Sequence, residues 1–355
     1  MFKKQGYYYG FFFLLLLIAP FVLSDFRIGL LAKFLCFAII AAGISLIWGY
    51  TGILSLGHAV FFGLGAYCMA MYLKLEGSPS GIPDFMEWNG ITELPFIWRI
   101  FENPLIALGA AVVLPAVLAW IIGYFTFKNR IKGVFFSLIS QAVVVVCVTL
   151  FIGGQKITGG TSGLTNFYTI FQIPLSDPGT KTFLYFLTVG LLAAIMLISL
   201  LLTKTRFGKL MVAIRDGENR LRFLGYNPAV FKSFIYSLSA AFAGVAGALF
   251  VLQVGIISPE MMGIVPSIEM VLWAAIGGRH SILGAAIGAI LTNSAKSFLS
   301  ESYPEMWTFF LGGLFLLVVL YLPNGLTGLL ADLKGRFKKR RKKEEKENAA
   351  DTLVS

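Results

Sequence analysis

The sequence predicts an all-α fold, a polytopic bundle of about eight to ten transmembrane helices. Of the 355 residues, 57% are hydrophobic and only 13% are charged, whereas a soluble domain carries about 25% charged residues. The mean hydropathy is +0.80, and the apolar residues are gathered in runs long enough to cross hydrocarbon. Because exposed irregular backbone is too costly in lipid, these runs are expected to be helices.

About ten apolar runs approach or reach the length of a membrane-spanning helix. The runs are residues 7–23, 28–48, 57–73, 105–127, 133–152, 183–203, 231–254, 263–278, 281–300 and 307–323. The eighth run, 263–278, is short and could instead be re-entrant. The first run resembles a signal peptide but has no small-residue cleavage site before Asp25, so we interpret it as a membrane helix.

Basic residues indicate the orientation of these helices, because Lys and Arg concentrate in cytoplasmic loops. They cluster in 128–132, in 204–232 and in the tail from 334 to 346. The acidic stretch 74–104 and the weakly charged loop 153–182 are expected outside. Ten crossings place every basic segment on one side, with both termini in the cytoplasm.

Residues 1–333 are predicted to form one membrane domain, and 334–355 a basic, disordered cytoplasmic tail. The net charge of +11 comes from the loops and the tail, so it indicates orientation and not nucleic-acid binding. The three cysteines and two histidines have no metal-ligand spacing. The sequence also lacks a Walker A motif. We therefore expect no metal, no cofactor and no ATPase site in this chain.

The cytoplasmic loop 204–230 is predicted to contain an amphipathic helix from about Lys209 to Leu224. Its expected apolar stripe consists of Leu210, Ala213, Ile214, Leu221 and Leu224. Gly225 suits a left-handed helix stop, and Pro228 prevents continuation. Such a helix either lies on anionic lipid or docks in a groove of a motor protein.

The motifs of this loop are found together in one family of transporters. The loop reads Ala213-Ile214-Arg215-Asp216-x-Glu218, and Gly225 and a span rich in Ala and Gly follow it. Other characteristic stretches are Gly49-Tyr50-Thr51-Gly52-x-x-Ser55-Leu56-Gly57-His58, Ser267-Ile268-Glu269-Met270, Gly277-Gly278-Arg279 with Gly284, and Leu322-Pro323-x-Gly325-Leu326. With these motifs, nearly the whole membrane domain resembles the permeases of the branched-chain amino-acid type of ABC importer.

Within this family, the chain is most similar to the urea-type permeases. The supporting stretches are Asp216-Gly217-Glu218-Asn219-Arg220-Leu221, Gly225-Tyr226-Asn227-Pro228, Gln253-Val254-Gly255-Ile256-Ile257-Ser258-Pro259, Asn293-x-Ala295-Lys296 and Pro304-Glu305-x-Trp307. The general importer loop has two small residues after its Glu. Here Asn219 and Arg220 follow Glu218, in agreement with the urea-type pattern.

The resemblance implies a prokaryotic inner-membrane protein that works with several partners in the lipid bilayer. These are a second homologous permease, two cytoplasmic subunits that bind ATP, and an extracytoplasmic solute-binding protein. The residues expected to couple the chain to the ATP-binding subunits are Arg215, Asp216, Glu218, Asn219, Arg220 and Gly225.

Two places are candidates for the translocation path. Gly57, His58 and Phe61 lie near the cytoplasmic end of the third span, where His58 is either a hydrogen-bonded packing residue or a polar group of the path. The glycines around them imply tight helix contact or a break in the helix. Glu269 lies inside a predicted span, where an ionised side chain costs at least about 2.5 kcal/mol. It is expected either to pair with Arg279 or Lys296, or to hold amide groups of the solute.

The leading hypothesis is therefore an importer permease for urea or a short amide. The close alternative is the same machine for branched-chain amino acids. A stand-alone channel or an ion-coupled carrier belongs to a different class, and carriers usually show several intramembrane acids or broken helices around ion sites. Here only Glu269 stands out in the sequence.

Overall fold

The computed structural model describes residues 2–303 except 79, together with 306, 309–310, 312–313, 316–317 and 325–329. The helices are α1 Phe2–Val22, α2 Asp25–Thr51, α3 His58–Glu76, α4 Asp84–Trp88, α5 Phe96–Arg99, α6 Pro104–Lys128, α7 Val134–Gly153, α8 Gln155–Thr158, α9 Pro178–Lys204, α10 Arg206–Phe223, α11 Pro228–Val254, α12 Ile264–Gly277 and α13 Ile282–Ser302. Short 3-10 turns are Ile100–Glu102, Gly160–Ser162 and Pro259–Met262.

The predicted all-α membrane fold is confirmed. Seven helices of the described chain are long and apolar enough to cross a membrane, namely α2, α3, α6, α7, α9, α11 and α13. The apolar part of α1 and all of α12 are shorter. Most of the predicted last span, 307–323, and the whole tail, 334–355, lie outside the described residues.

Helix α11 lies at the centre of the bundle and packs against α2, α3 and α6. Glycine makes the closest of these contacts possible. Gly65 of α3 lies directly against the backbone of Gly244 in α11, and Gly247 against the carbonyl of Phe62, so neither position has room for a Cβ. Small residues let membrane helices approach this closely and gain van der Waals contact.

Helix α12 crosses only part of the bundle. Its 14 residues span about 21 Å, less than the roughly 30 Å of bilayer hydrocarbon. It begins just after Met262, whose side chain covers Gly63 in the second turn of α3. The chain before it is non-helical and forms the strand β4, Ile256–Ile257, and a 3-10 turn. The short run 263–278 is thus the helical half of a discontinuous span.

This discontinuous span joins the two ends of the bundle. At one end, β4 pairs antiparallel with β1, Leu164–Thr165, beyond the C-terminus of α7. At the other end, the turn after α12 contacts Gly49 near the C-terminus of α2, on the side where α10 lies. A second ribbon, β2 Thr169–Ile170 with β3 Ile173–Pro174, lies in the same loop as β1. Helix α12 together with the non-helical segment before it thus extends between the two ends of the bundle, although α12 alone is too short to do so.

Candidate coupling helix and cavity

The predicted amphipathic helix of the cytoplasmic loop is present as α10, Arg206–Phe223. Gly217 interrupts the helical geometry of α10, because its φ is −167° and its ψ is 62°. Gly225 has φ +84°, the left-handed stop expected from the sequence. Asn227 then caps α11 by accepting a hydrogen bond from the Ala229 N–H at 3.2 Å, and Pro228 is the first residue of that helix.

The apolar stripe of α10 differs in part from the prediction. Ile214 and Leu221 are buried as expected, whereas Leu210 and Ala213 are only half-buried. Met211, which the predicted stripe omitted, is buried, and Leu224 is 73% exposed. The helix ends at Phe223, so Leu224 no longer follows the helical period. Phe223 itself is 93% exposed and leaves an apolar projection at this end of α10.

Glu218 points inward and holds α10 to the bundle. Its side chain is only 9% exposed and accepts from Arg222 at 2.7 Å, Lys232 at 2.6 Å and Lys132 at 2.9 Å. Burial alone would raise the pKa of Glu218, but the hydrogen bonds from Lys232 and Lys132, with the charges around them, outweigh burial and lower the pKa to about 2. The carboxylate thus ties α10 to the loop before α7 and to the start of α11.

Arg215 links α10 to two other segments through the carbonyl of Gly49. Its Nη1 donates to this oxygen at 2.7 Å, while its Nε donates to Asp216 at 2.9 Å. His280 Nδ1 lies 3.2 Å from the same oxygen, and Arg279 Nε donates to His280 Nε2 at 3.1 Å. This pattern assigns the Nδ1–H tautomer, because Nε2 is the acceptor.

We call Arg215, Gly49, Arg279 and His280 the Gly49 junction. Burial and the positive charges of Arg279 and Arg215 lower the pKa of His280, which keeps its ring neutral at physiological pH. Gly49 has no room for a Cβ against the backbone of Arg279. The junction therefore packs α10, the end of α2 and the α12–α13 turn tightly together.

The predicted coupling residues fall on both faces of α10 and just beyond it. Asp216, Asn219 and Arg220 are exposed. Arg215 is partly covered by its contacts within the Gly49 junction, and Glu218 is turned inward. Gly225 ends the segment. The sequence analysis did not name Phe223 among the coupling residues. The signal that could have found it was an aromatic residue close to a helix stop in a charged loop.

Gly57, His58 and Phe61 come together where α3 begins, after a non-helical stretch over 52–57. The glycines left open tight helix contact or a break in the helix, and the structure has a break here. Serine hydroxyls of α7 bind its backbone: Ser137 donates to the Leu54 carbonyl at 2.7 Å, and the Leu56 N–H donates to Ser140 Oγ at 3.0 Å.

His58 itself is 1% exposed and shares a hydrogen bond of 3.0 Å with Ser239 of α11. Its ring also packs edge-on against Phe61 and Tyr236. This is the environment of the packing histidine considered in the sequence analysis. None of these three residues is among those that line the cavity beside Glu269, the other predicted path residue.

Glu269 pairs with Lys296 of α13, whose Nζ donates to both carboxylate oxygens at 2.8 and 2.9 Å. Arg279, the other predicted partner, lies instead over the Trp48 ring in the Gly49 junction. The ion pair lines a cavity of about 370 Å³ between α2, α12 and α13. Lys33 of α2 lines it too, and the sequence analysis missed this lysine inside an apolar run.

Comparisons with known proteins agree with this architecture. A family model described as "Branched-chain amino acid transport system / permease component" matches residues 26–319. The high-affinity branched-chain amino acid permease LivM of Escherichia coli is 25% identical over 329 residues, covering 86% of this chain and 71% of LivM. BraD of Pseudomonas aeruginosa, a permease named for the same transport, is 23% identical over 312 residues, or 82% of this chain and 91% of BraD.

A further relative, the autoinducer 2 import permease LsrC of Yersinia enterocolitica, is 28% identical over 231 residues, which are 62% of this chain and 59% of LsrC. No solved structure matches the chain at a significant level. Because the family model covers most of the described membrane helices, the conclusion is direct: this chain belongs to the family of permease components of branched-chain amino-acid transport systems.

Proposed function

We propose that this ABC importer permease carries urea or a short amide through the membrane, together with a second homologous permease, while two cytoplasmic subunits that bind ATP grip α10. The coupling part of this proposal rests on the difference between the two faces of α10. Its inner face is held by Glu218 and the Gly49 junction, and its outer face presents Phe223 beside exposed polar residues.

The exposed face of α10 fits the recognition of a helix by a groove. An apolar anchor such as Phe223 would fill a pocket of the partner. Asp216, Asn219 and Arg220 would then set the register and steer the encounter. In the same proposal α10 is cytoplasmic and so are both termini.

A displacement of α10 would reach the cavity through the Gly49 junction. Arg215 moves with α10, and its partner carbonyl also binds His280 at the end of α12. Helix α12 is short and carries Glu269 in its second turn. ATP-dependent movement of α10 would therefore shift α12 against α13 and alter the wall of the cavity.

The coupling proposal is tested by co-purification of the ATP-binding subunits with Phe223→Asp. We expect association and ATP-dependent uptake to be lost, because a charge cannot replace the apolar anchor. The matched control is Trp88→Asp in α4, which should leave association intact. Trp88 is 81% exposed and follows the C-terminus of α3, whereas α10 contacts Gly52 before the N-terminus of α3. Normal association in Phe223→Asp would contradict the proposal. Full solute flux through this chain without an ATPase would instead favour a stand-alone channel or carrier.

The choice of urea is supported by the urea-type stretches around Glu218, Gly225 and Lys296. Branched-chain amino acids are the second candidate, favoured by the names of LivM and BraD. Uptake of labelled urea and labelled leucine by a strain lacking this gene, with and without the gene restored, separates the two. Leucine uptake that depends on the gene would refute the assignment to urea.

A further inference from the structure

The cavity between α2, α12 and α13 has two chemically different walls. One wall is aromatic, where Phe37 lies with its ring centroid 4.6 Å from that of Trp273 and 5.7 Å from that of Phe250. The other wall carries the Glu269–Lys296 pair with further polar side chains of α13. A cavity of mostly apolar surface with a few convergent polar groups is the usual form of a small-molecule site.

The charges that line this cavity balance among the described residues. Lys33 and Lys296 carry positive charge, and Glu269 and Glu301 carry negative charge. An ion of either sign would therefore meet attraction and repulsion of similar size. A net-neutral solute with hydrogen-bond donors and acceptors suits such a wall better, because it can satisfy both signs at once.

From this arrangement, and resting on the proposed function, we propose that the cavity is an intramembrane solute site. The solute is a net-neutral molecule that bridges the carboxylate of Glu269 and the ammonium of Lys296. Its N–H groups donate to Glu269, and Lys296 donates to its carbonyl or carboxylate oxygen. The same chemistry is offered by a neutral amide such as urea and by a zwitterion such as leucine.

The placement of the pair explains how the site can open and close. Glu269 lies on α12 and Lys296 on α13, 27 residues apart in sequence, so the pair bridges two helices. In the structure the two side chains contact each other directly at 2.8 Å. A solute that enters replaces this contact by two bridging ones, and the Gly49 junction at the far end of α12 connects this change to α10.

Solute binding is measured by protection of a cysteine placed in the cavity, in vesicles that hold the complete transporter. The reporter is Ser297→Cys, with Cys36, Cys68 and Cys147 replaced by alanine, and urea and leucine are the two probes. We expect one probe to slow modification of the reporter by a small thiol reagent, and the effective probe identifies the solute. Glu269→Gln should weaken this protection about tenfold or more, because a hydrogen bond to a charged group is lost.

Two further variants separate binding from folding. Glu269→Gln combined with Lys296→Gln leaves neither member of the pair as a buried charge without its partner, so we expect the variant to reach the membrane in normal amount and still to bind the probe about tenfold or more weakly. The matched control neutralises the Lys74–Asp84 pair, which has the same bidentate distances of 2.8 and 2.9 Å outside this cavity. Lys74→Met with Asp84→Asn should not change protection.

The outcomes distinguish this inference from the proposed function. Uptake of either probe without protection of the reporter would overturn only the solute site. Undiminished protection in the Glu269→Gln, Lys296→Gln variant would show that the pair merely joins α12 to α13, and would also overturn it. The absence of ATP-dependent uptake of both probes in the same vesicles would overturn the proposed function and this inference with it.

Discussion

The substitution Glu218→Gln should loosen α10 from the bundle. The carboxylate is shared by Lys132, Arg222 and Lys232, and the Lys232 side chain is only 7% exposed. An amide keeps the size of the side chain but removes its charge. The three cations are then left to repel one another, with Lys232 partly desolvated and without its carboxylate, a situation that costs much more than the loss of an exposed pair.

The magnitude follows from the pKa of Glu218, which is lowered from 4.5 to about 2. At 1.36 kcal/mol for each pH unit, this difference corresponds to about 3 kcal/mol, and solvent screening at the protein surface reduces it to about 1–2 kcal/mol. Because the pKa is depressed in the folded state, the unfolded state takes up the proton first as the pH falls. The stabilisation is therefore complete above about pH 4.5 and is lost as the pH falls toward about 2.

The assay is the rate at which a protease cleaves α10 in purified protein at neutral pH, since local opening controls access to the cleavage site. Glu218→Gln should raise this rate about fivefold to thirtyfold, the equivalent of the lost 1–2 kcal/mol. The control is Asp216→Asn, whose exposed carboxylate pairs only with Arg215 among the described residues, and whose cleavage rate should stay close to that of the unchanged protein because exposed pairs contribute little. Equal rates in the two variants would refute the assignment of Glu218 as the anchor of α10.

Three other substitutions test the packing and the junction. Gly65→Leu should prevent accumulation of the folded protein in the membrane, because its side chain would collide with the backbone of Gly244; normal yield on a membrane immunoblot would contradict the packing. Ser140→Ala removes the acceptor for the Leu56 N–H and should lower the free energy of unfolding by about 1–3 kcal/mol. The measurement is the midpoint of thermal unfolding in detergent, and an unchanged midpoint would contradict this role of Ser140. His280→Ala should lower the solute carried per ATP hydrolysed in vesicles severalfold while the ATP-binding subunits still co-purify, and an unchanged ratio would remove His280 from the coupling route.

The features that were predictable from the sequence are those with local causes. Each long helix follows from an apolar run of sufficient length, because a backbone in lipid must satisfy its own hydrogen bonds. The end of α10 follows from Gly225 and Pro228, whose allowed backbone geometries do not depend on distant residues. The break before α3 was one of the two alternatives that its glycines indicated.

The direction of the side chains on α10 was only partly predictable. A regular helical period places Leu224 on the buried stripe, but the helix is interrupted at Gly217 and ends at Phe223. Glu218 looked like a surface charge because it lies in a charged loop. Its burial depends on Lys132 and Lys232, which approach it only after α7 and α11 have packed.

The sequence by itself thus determined that this is a membrane protein, where the long helices of the described chain lie and to which family the chain belongs, because composition, run length and short motifs are properties of contiguous residues. Only the tertiary structure decided that α12 is the helical half of a span, that Lys296 and not Arg279 pairs with Glu269, and that Lys33 borders the same cavity. These features depend on which distant helices touch, and that choice is made by the packing of the whole bundle.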